Sequence, residues 1–196
     1  MNRNQTKKLG VYGGIVSLPH EHARIVPLGS VRKKLEPEIA RIISDHTKSG
    51  LNAAIPDHPF SMQGPRTIAS HMTPTSVIGV MDVEDAFPSV RIKEKYHQFM
   101  YVVWYDTTPG NESDDTLYLY KTTHGDFGVR SLPYLWDRWL GVLIGCGAAF
   151  NIAPPTCRYV DDLTFVGQQE LSVNASMDDT ARLLDAVGHK EKLIKR

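Results

Sequence analysis

The sequence predicts an α+β fold, and three features carry that prediction. Val77–Met81, Tyr101–Tyr105 and Leu117–Lys121 are short β-rich runs bounded by polar or turn-forming residues. Residues 157–160 and 163–166 are two more, with Asp161–Asp162 between them, the pattern of a hairpin with two acids at its bend. Ser131, with Pro133 just behind it, opens a helical pattern through about Ile144. There Tyr134, Leu135, Trp136, Trp139, Leu140 and Leu143 make a broad apolar face.

The remaining elements follow in chain order. Residues 1–23 are poorly periodic and read as extended or loop-like. Residues 24–29 form a short strand leading into the basic stretch Val31–Lys34, and Arg41–Ser44 forms another. Residues 45–66 are rich in turn formers, including Gly50, Pro56, Pro59, Gly64 and Pro65. A helix is expected over 66–72. The strand Val77–Met81 ends at Asp82. Pro88 then starts or precedes a helix from Ser89 to about Met100. Residues 106–116 read as an exposed turn. A last helix is expected over about 176–187, with Leu183, Leu184 and Val187 turned inward.

Composition narrows the class. A chain of 196 residues, 41% apolar and 22% charged, suits one core of moderate size or two small lobes. Basic and acidic residues balance at 22 each, which weakens a case resting on global attraction to a polyanion but does not exclude a nucleic-acid partner bound by a local strip of charge. The balance is uneven, however. Residues 1–50 hold nine basic and four acidic side chains, a net +5, and the remainder carries −5. The two cysteines are too few for a disulfide scaffold. No apolar run reaches the roughly 20 residues of a membrane span, and the start lacks the apolar core of a signal peptide. The expected location is intracellular, in cytoplasm or nucleus, away from membranes.

Chemistry concentrates in acids at strand ends. Asp82 closes one apolar strand and Asp161–Asp162 cap a hairpin. Carboxylates gathered by neighbouring strands repel unless a cation sits among them. Hard oxygen donors suit Mg²⁺, with Mn²⁺ as the alternative, held by one or two carboxylates together with substrate phosphates. A pair of such ions serves phosphoryl transfer. The plainer alternative is ordinary turn chemistry, since acids are common at bends.

These residues carry a resemblance. Tyr159–Val160–Asp161–Asp162 resembles the YxDD hairpin of reverse transcriptases, and Met81–Phe87 (MDVEDAF) resembles their first catalytic-acid motif. Phe127–Pro133 resembles the FG-x-x-x-x-P segment. Arg41–Asp45 leading to Leu51–Asn52 resembles the fingers motif, and Lys33–Lys34 its upstream basic pair. Together the segments span about residues 24–192. The polar run Asp45–His46–Thr47 is closer to a retroelement enzyme than to a retroviral one. The implied fold is a right-hand polymerase fingers–palm, its palm an antiparallel sheet with helices on one face. Residues 1–76 would be an N-terminal extension and fingers portion. Residues 77–196 would be the palm with interleaved fingers elements. At this length no thumb is expected.

The resemblance also implies roles. Asp82 and Asp161 would bind metal with Asp162 as a third acid, and the Val83 carbonyl would help. Phe87 would lie under the sugar and exclude a ribose 2′-OH; alternatively it is a core aromatic. Asp85 and Ala86 would offer backbone to the triphosphate, Arg41 would clamp an α- or β-phosphate, and Lys34 would meet the γ-phosphate. Gly128 would let backbone approach the nascent base pair. Phe127 stands where retroviral enzymes commonly carry glutamine. Lys192, or Lys190 close by, would lie near the leaving phosphate; alternatively either is part of a solvated tail. Tyr159 would either contact the primer end or pack. The implied partners are an RNA or DNA template with primer and dNTP, with thumb and RNase H portions either supplied by other polyprotein domains or lost. Two other readings stay open. One is a palm-fold module that binds nucleic acid without catalysis; the other is an unrelated phosphotransferase acting on small nucleotides.

Overall fold

The computed structural model describes residues 12–15, 23–32, 40–105 and 117–193. The fold is mixed α+β, and the chain divides into two compact units, each drawn from two stretches of sequence. One unit lies within residues 1–57 and 87–132, the other within 58–86 and 133–196.

In the first unit, β1 (Tyr12–Ile15), β2 (Ile25–Val26), β6 (Tyr101–Tyr105) and β7 (Leu117–Thr122) form a sheet in the order β1-β7-β6-β2. The β6–β7 and β1–β7 pairs are antiparallel and β2–β6 is parallel. Two further strands, β3 (Leu28–Arg32) and β4 (Ala40–Ser44), make a separate antiparallel pair. A single helical turn, α1 (Leu51–Ala54), interrupts the turn-rich stretch. The core gathers Met100, Val129 and Leu132, with Leu51, Ile55, Phe87, Val90, Ile92 and Phe99 packed around it.

The helix expected over 89–100 is not formed; only a 3₁₀ turn, Glu94–Phe99, lies there. The reason is competition for backbone groups. Ile92 N–H donates to the Thr123 carbonyl (3.0 Å), and the Val90 carbonyl accepts from Gly125 N–H. Arg91 also bridges to His124. β-branched Val90 and Ile92 suit this extended pairing better than a helix.

The second unit holds β5 (Val77–Val83), β8 (Cys157–Tyr159), β9 (Asp162–Gly167) and β10 (Glu191–Leu193). They form one fully antiparallel sheet in the order β10-β5-β9-β8. Its helices are α2 (Pro65–His71), α3 (Leu132–Ala149) and α4 (Glu170–Ala186). α3 runs past the expected Ile144 because Gly147 is where α4 comes close: a Cβ there would meet Leu183 Cδ2 at 2.6 Å. Asn151 ends α3 in the left-handed region at φ 61°, and Gly188 ends α4 at φ 84°. In both, the next residue's N–H reaches back to the carbonyl five positions earlier, Ile152 to Gly147 and His189 to Leu184. The second of these stops turns the chain directly into β10, a strand that the sequence did not reveal.

α4 begins well before the expected residue 176, because Val173 and Met177 are both buried on it. They meet β5 where Gly79 leaves room; a Cβ there would collide with the Met177 sulfur and with Val173 Cγ1. Met81, Val83, Leu163 and Phe165 are buried on this same face of the sheet. α3 adjoins that face too, since Gly141 lies against the Arg158 guanidinium. Among the described residues no helix is long and apolar enough to cross a membrane.

Candidate functional site

Strand register in the second unit gathers the acids. Asp82 on β5 stands opposite Asp162 on β9, and Val83 N–H donates to the Asp161 carbonyl at 3.0 Å. That pattern makes Asp82–Asp162 a non-hydrogen-bonded pair, in which Cα atoms approach to about 4.5 Å and side chains leave the same face. On the outer side Tyr159 pairs with Asp162; on the other, Lys192 pairs with Asp82. The register row across four strands is therefore Tyr159, Asp162, Asp82, Lys192. Alternation along each strand sets Asp82 and Asp162 on the face away from Met81 and Leu163, which are buried. Asp82 is half-buried, Asp162 is exposed, and Tyr159 is 49% exposed.

Asp161 sits beside the row, in the two-residue turn between β8 and β9. Only the first turn residue, Val160, has positive φ, at 56°, as a type II′ turn requires. Val83 ends β5 with its side chain buried. The chain then turns through Asp85, left-handed at φ 53°, and the buried Ala86. Lys190 offers its carbonyl to Glu84 N–H at 2.8 Å, two positions from Lys192.

Although Asp162 as a whole is exposed, partial desolvation of its carboxyl pushes it above the usual carboxylate range, and the neighbouring charge of Asp161 pushes it the same way. The folded state therefore holds this proton more tightly than the unfolded chain does. The resulting stabilisation is complete below the ordinary Asp value of about 3.9 and is lost as pH rises through the raised value. Asp162→Asn removes the dependence. In denaturant titrations the variant is expected to match the unaltered chain near pH 3 and to exceed it at pH 7. Millimolar Mg²⁺ should narrow that gap. An equal gap at both pH values would show that the fold does not raise the Asp162 pKa.

The donor set fits a hard divalent cation. Two facing carboxylates with a third beside them supply charged oxygens and no soft ligand. Among the described residues no group of three or more His, Cys, Asp or Glu side chains closes into a metal-holding cage.

The other sequence-predicted residues belong to the first unit. Arg41 lies on β4 opposite Val31 of β3. Lys34 falls outside the described residues. Phe87 is half-buried at the edge of the core cluster, its ring edge-on to Phe127 with centroids 5.6 Å apart. Gly128 has φ 101°, and a Cβ on it would meet the Ser44 carbonyl oxygen at 2.6 Å. Close approach is thus required there by the unit's own packing. Asn52 clamps the loop: its Nδ2 donates to the Gly128 carbonyl (2.9 Å) and its Oδ1 accepts from Arg130 N–H (2.9 Å). Below it, His46 Nε2 lies 3.3 Å from Asp126 Oδ2, both buried. An exposed ion pair, Arg130 with Asp57, adds little.

Sequence reasoning missed the partners of His46 and Asn52, and it read Trp136 as one more apolar position. Trp136 is 1% exposed, and its Nε1 donates to the Val160 carbonyl at 2.9 Å. The available signal was chemical: a buried indole N–H needs an acceptor. His189, against the rings of Trp136 and Trp139, is held below the usual histidine pKa by burial. Comparison with protein-family models and with curated proteins returns no match for this chain.

Proposed function

We propose that the chain is the fingers–palm part of an RNA-directed DNA polymerase of retroelement type. The observation that carries this reading is the Asp82–Asp162 facing pair with Asp161 in the adjoining turn. Partial desolvation and the neighbouring charge of Asp161 both raise the Asp162 pKa, and a cation among these carboxylates would relieve that repulsion. Mg²⁺ or Mn²⁺, when bound with the nucleotide, would supply Lewis-acid activation of the primer 3′-hydroxyl and neutralise the leaving pyrophosphate.

The chain's own residues divide the remaining work. Asp82 and Asp161 hold the cation, Asp162 adds charge beside them, and the Val83 carbonyl contributes an oxygen. Asp85 and Ala86 present backbone to the triphosphate. Arg41 and Lys34 belong to the basic stretch and take phosphate oxygens; an arginine fork suits that geometry. Phe87 blocks a 2′-hydroxyl, and Gly128 keeps its loop close to the base pair. Lys192, whose register partner is Asp82, neutralises the leaving phosphate. The partners are a primed RNA or DNA template and dNTP.

Primer extension tests the reading. With Mg²⁺, dNTP and a DNA primer on an RNA template, the folded chain is expected to add the templated nucleotide and to discriminate against mismatched ones. Binding of the primed template without incorporation, at high protein and nucleotide concentration, would instead assign a non-catalytic palm-fold module.

A further inference from the structure

The turn that carries Asp161 holds its first residue, Val160, at φ 56°. Glycine is the usual residue at that position of a II′ turn. A β-branched side chain there is an outlier, and it persists only where the surroundings over-determine the conformation. The Trp136 indole does so. Its N–H meets the Val160 carbonyl at 2.9 Å, and the ring is enclosed against Trp139 (centroids 5.1 Å apart) and His189 (5.4 Å). The Val160 carbonyl and the Asp161 N–H belong to one rigid peptide plane. A donor that fixes that carbonyl therefore fixes the plane from which Asp161 departs. On its other side Asp161 is tied to β5 through Val83 N–H.

We propose that Trp136 is a positioning residue for Asp161, its indole N–H locking the strained Val160 turn so that the carboxylate is presented beside Asp82 and Asp162. A role in packing alone would be filled as well by phenylalanine; this role needs the N–H. The functional half rests on the polymerase reading, whereas the turn lock does not.

The test is Trp136→Phe, read in two ways. Amide exchange by NMR is expected to show the Val83 N–H exchanging about tenfold faster or more, with Met81 and Leu163 amides unchanged. Mn²⁺ titration is expected to show about tenfold weaker binding. In a Val160→Gly background, where no strained residue needs holding, the same substitution should change both readouts much less. Unchanged Val83 exchange and Mn²⁺ affinity would overturn the proposal. So would exchange raised equally through the whole sheet, which is the mark of lost packing. If the unaltered chain binds no Mn²⁺, the cation reading fails on its own account, and Val83 exchange alone then decides on Trp136.

Discussion

Asp82→Asn is expected to lower the rate of templated nucleotide addition by about 10³-fold or more while the chain stays folded. Asparagine keeps the shape and removes the charge, so the measurement isolates electrostatics from packing. Asp82 is the residue where this loss is largest because it is flanked in register on both sides, by Asp162 and by Lys192. Removing a single well-placed electrostatic group commonly costs 10²–10³ in rate, and a charged oxygen shared with a cation costs at least as much. Stability should stay within about 1 kcal/mol of the unaltered chain, since one cross-strand charge contact is worth no more than that. Single-nucleotide incorporation under saturating dNTP, with circular dichroism as the fold control, reads both. Incorporation within a few-fold of the unaltered chain would remove Asp82 from the chemistry.

Phe87→Val is expected to change which sugar is accepted. If the ring blocks a ribose 2′-hydroxyl, shortening it should raise ribonucleotide incorporation relative to deoxynucleotide by about 10²-fold, the scale of discrimination that shape alone achieves. The ring is well placed to be rigid, packed against the Met100–Val129–Leu132 cluster and edge-on to Phe127. Valine costs about 1–2 kcal/mol of stability, less than a fully buried Phe truncation, because Phe87 is only half-buried. The measured quantity is the ratio of kcat/KM for dNTP and rNTP, which a general loss of stability leaves unchanged. A constant ratio with both rates lowered would make Phe87 a core residue only.

How much of this was legible in sequence depends on what each residue answers to. Val77–Met81 and the 157–166 hairpin were readable because β-branched runs bounded by turns leave few alternatives, and the observed β5, β8 and β9 follow them closely. Leu132–Ala149 was readable from its apolar face, though its end was set by Asn151 and not by the glycines inside it. Residues 89–100 were misread because helical composition lost to pairing with Thr123–Gly125, a contact made across the chain. β10 was hidden: three residues, Glu191–Leu193, acquire strand form only by pairing with β5. The acids stood out by position, but which of them face each other is a matter of register, which two isolated strands do not specify. Trp136 and Asn52 were invisible as anchors because their acceptors, the carbonyls of Val160 and Gly128, are distant in sequence.

The path of the chain between its two units bears on how such a protein can be divided. It passes from one unit to the other at residues 57/58, 86/87 and 132/133. The second passage falls inside the Met81–Phe87 segment and the third inside Phe127–Pro133. No uninterrupted gene fragment therefore encodes either unit without part of the other. A recombination crossover at any single point severs at least one of them, so exchange between related genes preserves both only by transferring the entire interleaved block.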